Sequence, residues 1–231
     1  MKLGIIGAMD VEVAALKAKM NDAVQQTHAG SVYCEGTLEG TPAVVVQCGV
    51  GKVNAALCAQ ILISVYGVTH IVNTGIAGSL CAQLDIGDLV ISRDAIHHDF
   101  DLHFWGRPIG QVPGFDVIAF PANENMVDAA FAAAEAENPG HTRIGRVASG
   151  DQFICSIEQK DKIIADTAAL CAEMEGAAIA HTAYRNGIPF VIIRAISDKA
   201  DDSAEMDYPT FEAIAAARCA AVTCRLAASL K

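Results

Sequence analysis

Three stretches of this chain put ionisable residues where apolar runs end. "FVIIRAISDKADD" (190–202) is a strand-like segment that carries Arg194 and stops at Ser197 and Asp198. "AEMEGAAIAH" (172–181) sets Glu173, Met174 and Glu175 where an apolar strand turns into an alanine-rich helix. Met9 and Glu12 follow the first apolar run, and Asn73 to Gly78 follow another. An ionised carboxylate is costly to desolvate unless a cation or hydrogen-bond donors await it. Each of these acids therefore caps a helix or waits for a ligand. For Ser197 and Asp198 both readings are open: a helix N-cap with Arg194 in a buried pair, or an acid at the rim of a site. Ligands of open α/β sheets bind beyond the carboxyl ends of strands, which favours the second.

The glycine-rich pieces are less specific. "CGVGKVNAA" (48–56) lacks the full dinucleotide fingerprint, and Val53 stands where a Walker A loop needs Ser or Thr for magnesium. "NTGIAGSL" (73–80) suits either a tight strand–helix turn or a nest of N–H groups for an anion or a ribose. "HHDFDLH" (97–103) reads as a loop whose spacing fits no common zinc pattern. Neither a metal nor a cofactor is expected.

The surrounding elements alternate. Strands are predicted at 3–7, 31–38, 42–48, 70–75, 88–94, 146–150 and 190–197. Helices are predicted near 10–20, 52–65, 124–137, 158–166, 176–186 and 210–230. "EGTP" (39–42) joins the second and third strands as a hairpin, so the sheet is mixed. In the second helix Val53, Leu57, Ile61 and Val65 recur at helical spacing and are expected to form its buried face. No linker or repeat interrupts the 231 residues, which are read as one α/β domain, 1–231.

Composition narrows the partners. A net charge of −11 with scattered Lys and Arg offers no basic face, so no nucleic-acid partner is expected. No apolar run is long enough to span a membrane, and Asp10 and Glu12 interrupt the first one, so a cytoplasmic protein is expected. The eight cysteines form no C-x-x-C pair and read as buried free thiols.

Taken together, "GIIGAMDVEV", "GVGKVNAA", "NTGIAG", "GDLVIS", "GQVPG", "SGDQFI", "EMEGAAIAH" and "RAISD" resemble the 5′-methylthioadenosine/S-adenosylhomocysteine nucleosidases of the nucleoside phosphorylase superfamily. The pieces stand in that family's order and spacing from the first residues to past 200. The resemblance implies a three-layer α/β/α sandwich with a central mixed sheet. It also implies hydrolysis of the bond between ribose C1′ and adenine N9. Asp198 would protonate adenine N7, and Ser197 would position it. Glu12 would activate water held by Arg194, and Glu175 would grip the ribose hydroxyls with Met174 against the sugar. Phe153 and Ile154 match the adenine site, where an aromatic face stacks on the base and backbone groups read its edge. Ala8, Met9, Val50 and Tyr208 match the ribose and 5′-alkylthio pocket, with Ile76, Ala77 and Gly78 in the loop beside it. Glu173 is assigned to structure, as a helix-start or Arg-paired carboxylate.

Family members of this type are homodimers. Segment 104–115 matches the loop that reaches across, with Trp105 and Pro113 expected to wall the partner's pocket. The chain departs from the pattern at Ile76, where the family often has serine, and at Asp10, where glutamate is common. Some relatives with an aliphatic residue at that loop position also process 6-amino-6-deoxyfutalosine. A phosphorylase of the same fold is the nearest rival. It needs cations around phosphate, whereas Asn73 and Thr74 stand where related phosphorylases carry an arginine. A non-catalytic nucleoside-binding protein would be expected to lack one of Glu12, Glu175 and Asp198.

Overall fold

The computed structural model describes residues 1–230, apart from the side chains of residues 205 and 206. In chain order the elements are β1 (Leu3–Gly7), α1 (Asp10–Ala18), β2 (Asn21–His28), β3 (Ser31–Leu38), β4 (Thr41–Gln47), α2 (Lys52–Ser64), β5 (His70–Ser79) and β6 (Leu89–His97). There follow β7 (Phe120–Pro121), α3 (Glu124–Glu137), β8 (Thr142–Ser149), α4 (Ile157–Thr167), β9 (Cys171–Glu173), α5 (Gly176–Arg185), β10 (Phe190–Asp198) and α6 (Ala204–Ser229).

The central strands are apolar on both faces, so the sheet must be covered on both. Alternate residues of each strand enter different cores. In β10, Phe190, Ile192 and Ile196 join Ala55, Leu62 and Ile179 of α2 and α5. Val191, Ile193 and Ala195 join Leu16, Ala130 and Ala216 of α1, α3 and α6. This is the three-layer arrangement expected, with a mixed ten-stranded sheet. The strand order is β10-β6-β8-β9-β5-β1-β4-β3-β2, and β10 also pairs with β5. Five strands thus close into a ring, β10-β6-β8-β9-β5, from which β1, β4, β3 and β2 extend as an open wing. The β3–β4 hairpin forms as "EGTP" predicts.

Three strands go beyond the predicted set. β2 is polar and largely exposed at the sheet edge, so it lacks the alternation that marks a half-buried strand. β7 and β9 have two and three residues, too short to carry a period. β6 also runs on to His97, so the first His of "HHDFDLH" ends a strand. The last helix begins at Ala204 with Pro209 inside it, not at 210.

One helix face is reversed. Val53, Leu57 and Val65 of the expected buried stripe are exposed, while Ala55, Cys58, Ala59 and Leu62 face the core. Both sets have helical spacing. The small residues win the interior because they let α2 pack closely on its neighbours, and the bulkier set is left outside. All eight cysteines are free thiols, and Cys81 and Cys155 are only half-buried. Among the described residues, no helix is long and apolar enough to cross a membrane.

Candidate active site

Ring closure decides what converges. β1, β4, β5 and β10 run parallel to one another. Their carboxyl ends deliver Ala8, Met9, Val50, Ser197 and Asp198 to the rim of one cleft. β9 runs antiparallel to β5, with Gly78 opposite Ala172. It therefore brings Glu173, Met174 and Glu175 to the same cleft from the other side.

At the base of this cleft three glutamates surround Arg194, which is 1% exposed and sits in the middle of β10. Arg194 Nη2 donates to Glu173 Oε2 and, at 2.6 Å, to Asn73 Oδ1. Glu175 Oε2 lies 3.8 Å from the same nitrogen. Glu12, at the start of α1, accepts from the backbone N–H groups of Ala8 (2.6 Å), Met9 (3.0 Å) and Ile76 (3.1 Å). Gly75 makes this approach feasible, since a Cβ there would collide with Arg194 Nη1 and Glu12 Oε1. Burial raises the Glu12 carboxyl above its usual range, against the pull of Arg194 and the three N–H groups. Glu175 is pushed up to about 7 by burial and by Glu173 beside it. Burial works against the Arg194 charge, but the glutamates hold its pKa above the ordinary arginine value.

Asp198 lines the same cleft. β10 continues through Asp198 and α6 starts only at Ala204, so Ser197 and Asp198 are not helix caps. Asp198 Oδ1 accepts from Ala200 N at 2.8 Å, and Oδ2 accepts from Ser197 Oγ at 2.8 Å. Burial raises its pKa despite both donors, which is the condition for a carboxyl to hold a proton that it can give away. Gly78 leaves space for it, as a Cβ there would lie 2.7 Å from Oδ1.

The remaining walls are less polar. Phe153 and Tyr208 meet edge to face at 5.6 Å between ring centres, and the Tyr208 hydroxyl donates to Met9 Sδ at 3.2 Å. Ile76, Ala77 and Gly78 line the cleft, as expected. Four predicted residues do not. Arg194 lies behind the lining side chains, paired with Glu173 and hydrogen-bonded to Asn73. Ile154 turns its side chain into the core formed with Ile96 and Ile163, which leaves only its backbone for the adenine edge expected there. Trp105 is 72% exposed and, like Pro113, lies away from this chain's own cleft. Phe115 of the same loop packs instead against Phe120 and His181.

Two lining residues lie outside the predicted set, Ala172 and Glu173. Ala172 carries no chemical signal. Glu173 stands out in the sequence as an acid in an apolar run, and it is both things expected of it. Its oxygens accept from Glu175 N (3.2 Å) and Gly176 N (2.8 Å), capping α5, while it pairs with Arg194. In "HHDFDLH", Asp99 pairs with Lys52 at 2.6 Å and Asp101 with His103 at 2.5 Å.

Known proteins resemble this chain over most of its length. The sequence profile of the phosphorylase superfamily matches residues 2–228. The 5′-methylthioadenosine/S-adenosylhomocysteine nucleosidase of Geobacillus thermodenitrificans is 40% identical over 91% of this chain and 89% of its own. The crystal structure of the nucleosidase of that name from Neisseria meningitidis, in complex with methylthio-immucillin-A, superposes with a TM-score of 0.96. It is 35% identical and covers 99% of each chain. The native structure of futalosine hydrolase of Helicobacter pylori superposes with a TM-score of 0.94 at 30% identity, over 100% of this chain and 98% of that one. With its whole length matched and its acids gathered in one cleft, the chain belongs to the phosphorylase superfamily and, within it, to the 5′-methylthioadenosine/S-adenosylhomocysteine nucleosidases.

Proposed function

We propose that the protein hydrolyses the N-glycosidic bond of 5′-methylthioadenosine and S-adenosylhomocysteine, releasing adenine. The observation that carries this reading is that Asp198, buried and raised in pKa, shares one cleft with Glu12, Glu173 and Glu175. As the C1′–N9 bond breaks, its electron pair leaves with adenine and Asp198 delivers a proton to N7. Glu12 takes a proton from the water whose oxygen bonds to C1′. Glu175 binds the ribose hydroxyls, and its negative charge favours the cationic sugar of the transition state. Phe153 supplies a face for the base, and Met9, Met174 and Tyr208 supply apolar surface for the sugar and the 5′ substituent.

Hydrolysis fits better than phosphorolysis. The one guanidinium at the cleft base, Arg194, is already claimed by Glu173 and Asn73. Three carboxylates beside it would repel a phosphate dianion. Release of adenine from methylthioadenosine in phosphate-free buffer, at the rate seen with phosphate, tests this. A strict phosphate requirement would refute it. The likeness to the Helicobacter pylori futalosine hydrolase, together with aliphatic Ile76 in the glycine-rich loop, favours 6-amino-6-deoxyfutalosine as a second substrate.

The working form is a cytoplasmic homodimer of a single domain, residues 1–231. Val53 and Leu57 on the outer face of α2, Val65 just after it, and Phe104 and Trp105 are exposed apolar side chains that a second copy would cover. Trp105 and Pro113 of each copy then wall the 5′-alkylthio pocket of the other.

A further inference from the structure

The acids of the cleft are buried, but its more open side is shaped by other side chains. Val50 is 49% exposed and Phe153 45%, and Tyr208, edge to face with Phe153, is half-buried. Tyr208 stands one turn before Glu212 on α6, so the two share a face of that helix. The Tyr208 hydroxyl reaches Glu212 Oε1 at 3.1 Å as well as Met9 Sδ at 3.2 Å, and it has one hydrogen for the two. Burial and the Glu212 charge raise the Tyr208 pKa, so the phenol stays protonated.

A neutral hydroxyl orients a carboxylate without cancelling its charge. Glu212 is itself half-buried, and the basic residues that flank it along the chain are engaged elsewhere. Lys199 pairs with Asp85, and Arg218 donates to the Gly87 carbonyl. Among the described residues, no lysine or arginine lines the cleft. Its open side thus has an oriented negative charge beside it and no positive one. Neither the chemistry at C1′ nor the packing of a methylthio group uses that charge.

In the nucleosidase reading the base and the ribose lie against the buried acids, and the 5′ substituent runs toward Met9 and Tyr208. A methylthio group ends at that apolar surface. A homocysteinyl group continues past it, with an ammonium and a carboxylate on one carbon. The ammonium meets the Glu212 carboxylate and the phenolic oxygen, both of which accept hydrogen bonds. The carboxylate meets no cation and stays in water.

We propose that Glu212, oriented by Tyr208, is a specificity-determining residue that draws in the ammonium group of a 5′-homocysteinyl substituent and so raises kcat/KM for S-adenosylhomocysteine relative to methylthioadenosine. The role rests on the nucleosidase activity proposed above and adds a substrate preference to it.

The test is kcat/KM in the wild type, Glu212→Gln and Tyr208→Phe for three nucleosides: methylthioadenosine, S-adenosylhomocysteine, and the analogue of the latter with hydrogen in place of its amino group. Glutamine keeps the shape of Glu212 and an acceptor for Tyr208 but removes the charge. In that variant the kcat/KM ratio of S-adenosylhomocysteine to methylthioadenosine is expected to fall about three- to tenfold, through KM. Loss of the amino group should cost the wild type a similar factor and cost Glu212→Gln little. Tyr208→Phe keeps the ring against Phe153 but releases the carboxylate, and the ratio should fall there too. A folded Glu212→Gln variant with the wild-type ratio overturns the proposal. Should that variant not fold, the wild type decides, and equal kcat/KM for S-adenosylhomocysteine and its deamino analogue overturns it. The two claims fail separately. A wild type that releases adenine from neither natural nucleoside removes the activity itself, whereas release from both with an unmoved ratio removes only the role of Glu212.

Discussion

Replacing Asp198 by asparagine separates chemistry from architecture, because the structure gives the amide every contact the acid has. The asparagine carbonyl would still accept from Ala200 N at the position of Oδ1. The amide NH₂ would donate to Ser197 Oγ, and the serine hydroxyl would turn to the Ala77 carbonyl, 3.4 Å away. No cavity forms at this 2%-exposed position and no charge is stranded, so the melting temperature should stay close to that of the wild type. What disappears is the proton for N7. Positioned acids contribute about 10²- to 10⁴-fold, equivalent to about 3–5 kcal/mol of barrier. The assay is adenine release from saturating methylthioadenosine, with adenine binding measured in parallel. A fall in kcat of that size with adenine still bound is the expected result. In the wild type, activity should also decline as pH rises through the raised pKa of Asp198 and the proton is lost. A folded asparagine variant keeping more than about a tenth of wild-type kcat, above the expected range, would refute the assignment of the acid.

Gly75→Ala should cost about 1–3 kcal/mol of stability and most of the activity, since its methyl group collides with Arg194 and Glu12 together. A wild-type melting temperature and kcat would show that the two groups are free to move apart. Leu57→Glu, on the exposed face of α2, should shift sedimentation toward monomer without unfolding the chain; an unchanged dimer would take this face out of the interface. His97 is buried and its pKa is lowered from 6.5 to about 4, with desolvation as the main cause. The fold therefore favours neutral His97. Its contribution is complete above pH 6.5 and is lost as pH falls toward 4, a change worth about 3 kcal/mol. Melting temperatures across that window should fall less steeply for His97→Phe than for the wild type, and parallel curves would exclude His97 as a source of the acid sensitivity.

The strands and helices legible in the sequence are those whose burial imposes a pattern. β1, β4, β5 and β10 are apolar runs bounded by turn residues. β2 escapes because water on both faces leaves no period to find, and β9 because three residues cannot show one. The reversal of α2 has a more general cause. Periodicity identifies faces but not which face is inside, and α2 has an apolar set on each. Residue size settles the matter, and it can be weighed only against the neighbour's surface. Of the site, the chemical types are legible, and so is their location near strand ends. Hidden from the sequence is the partner of each charge. Glu173 and Glu175 are two residues apart and nearly identical in local context, yet one caps α5 and holds Arg194 while the other takes the Gly51 N–H at 2.8 Å and faces the cleft.

That division of labour follows from closing the sheet. In an open parallel sheet all carboxyl ends point one way, and the acids would line a single rim. Here β10 pairs with both β5 and β6, so β6, β8 and β9 run against β5. Residues leaving β9 then arrive opposite those leaving β1 and β10, with the cleft between them. Groups that must not share a surface can thus face one another across a substrate. Asp198 must keep a proton, and Glu175, which arrives from β9, is useful only when it can lose its own. On one rim, mutual repulsion would push both toward protonation. Burial raises both carboxyls, but Arg194 draws down Glu175 and not Asp198, so one small cavity can treat its two acids differently.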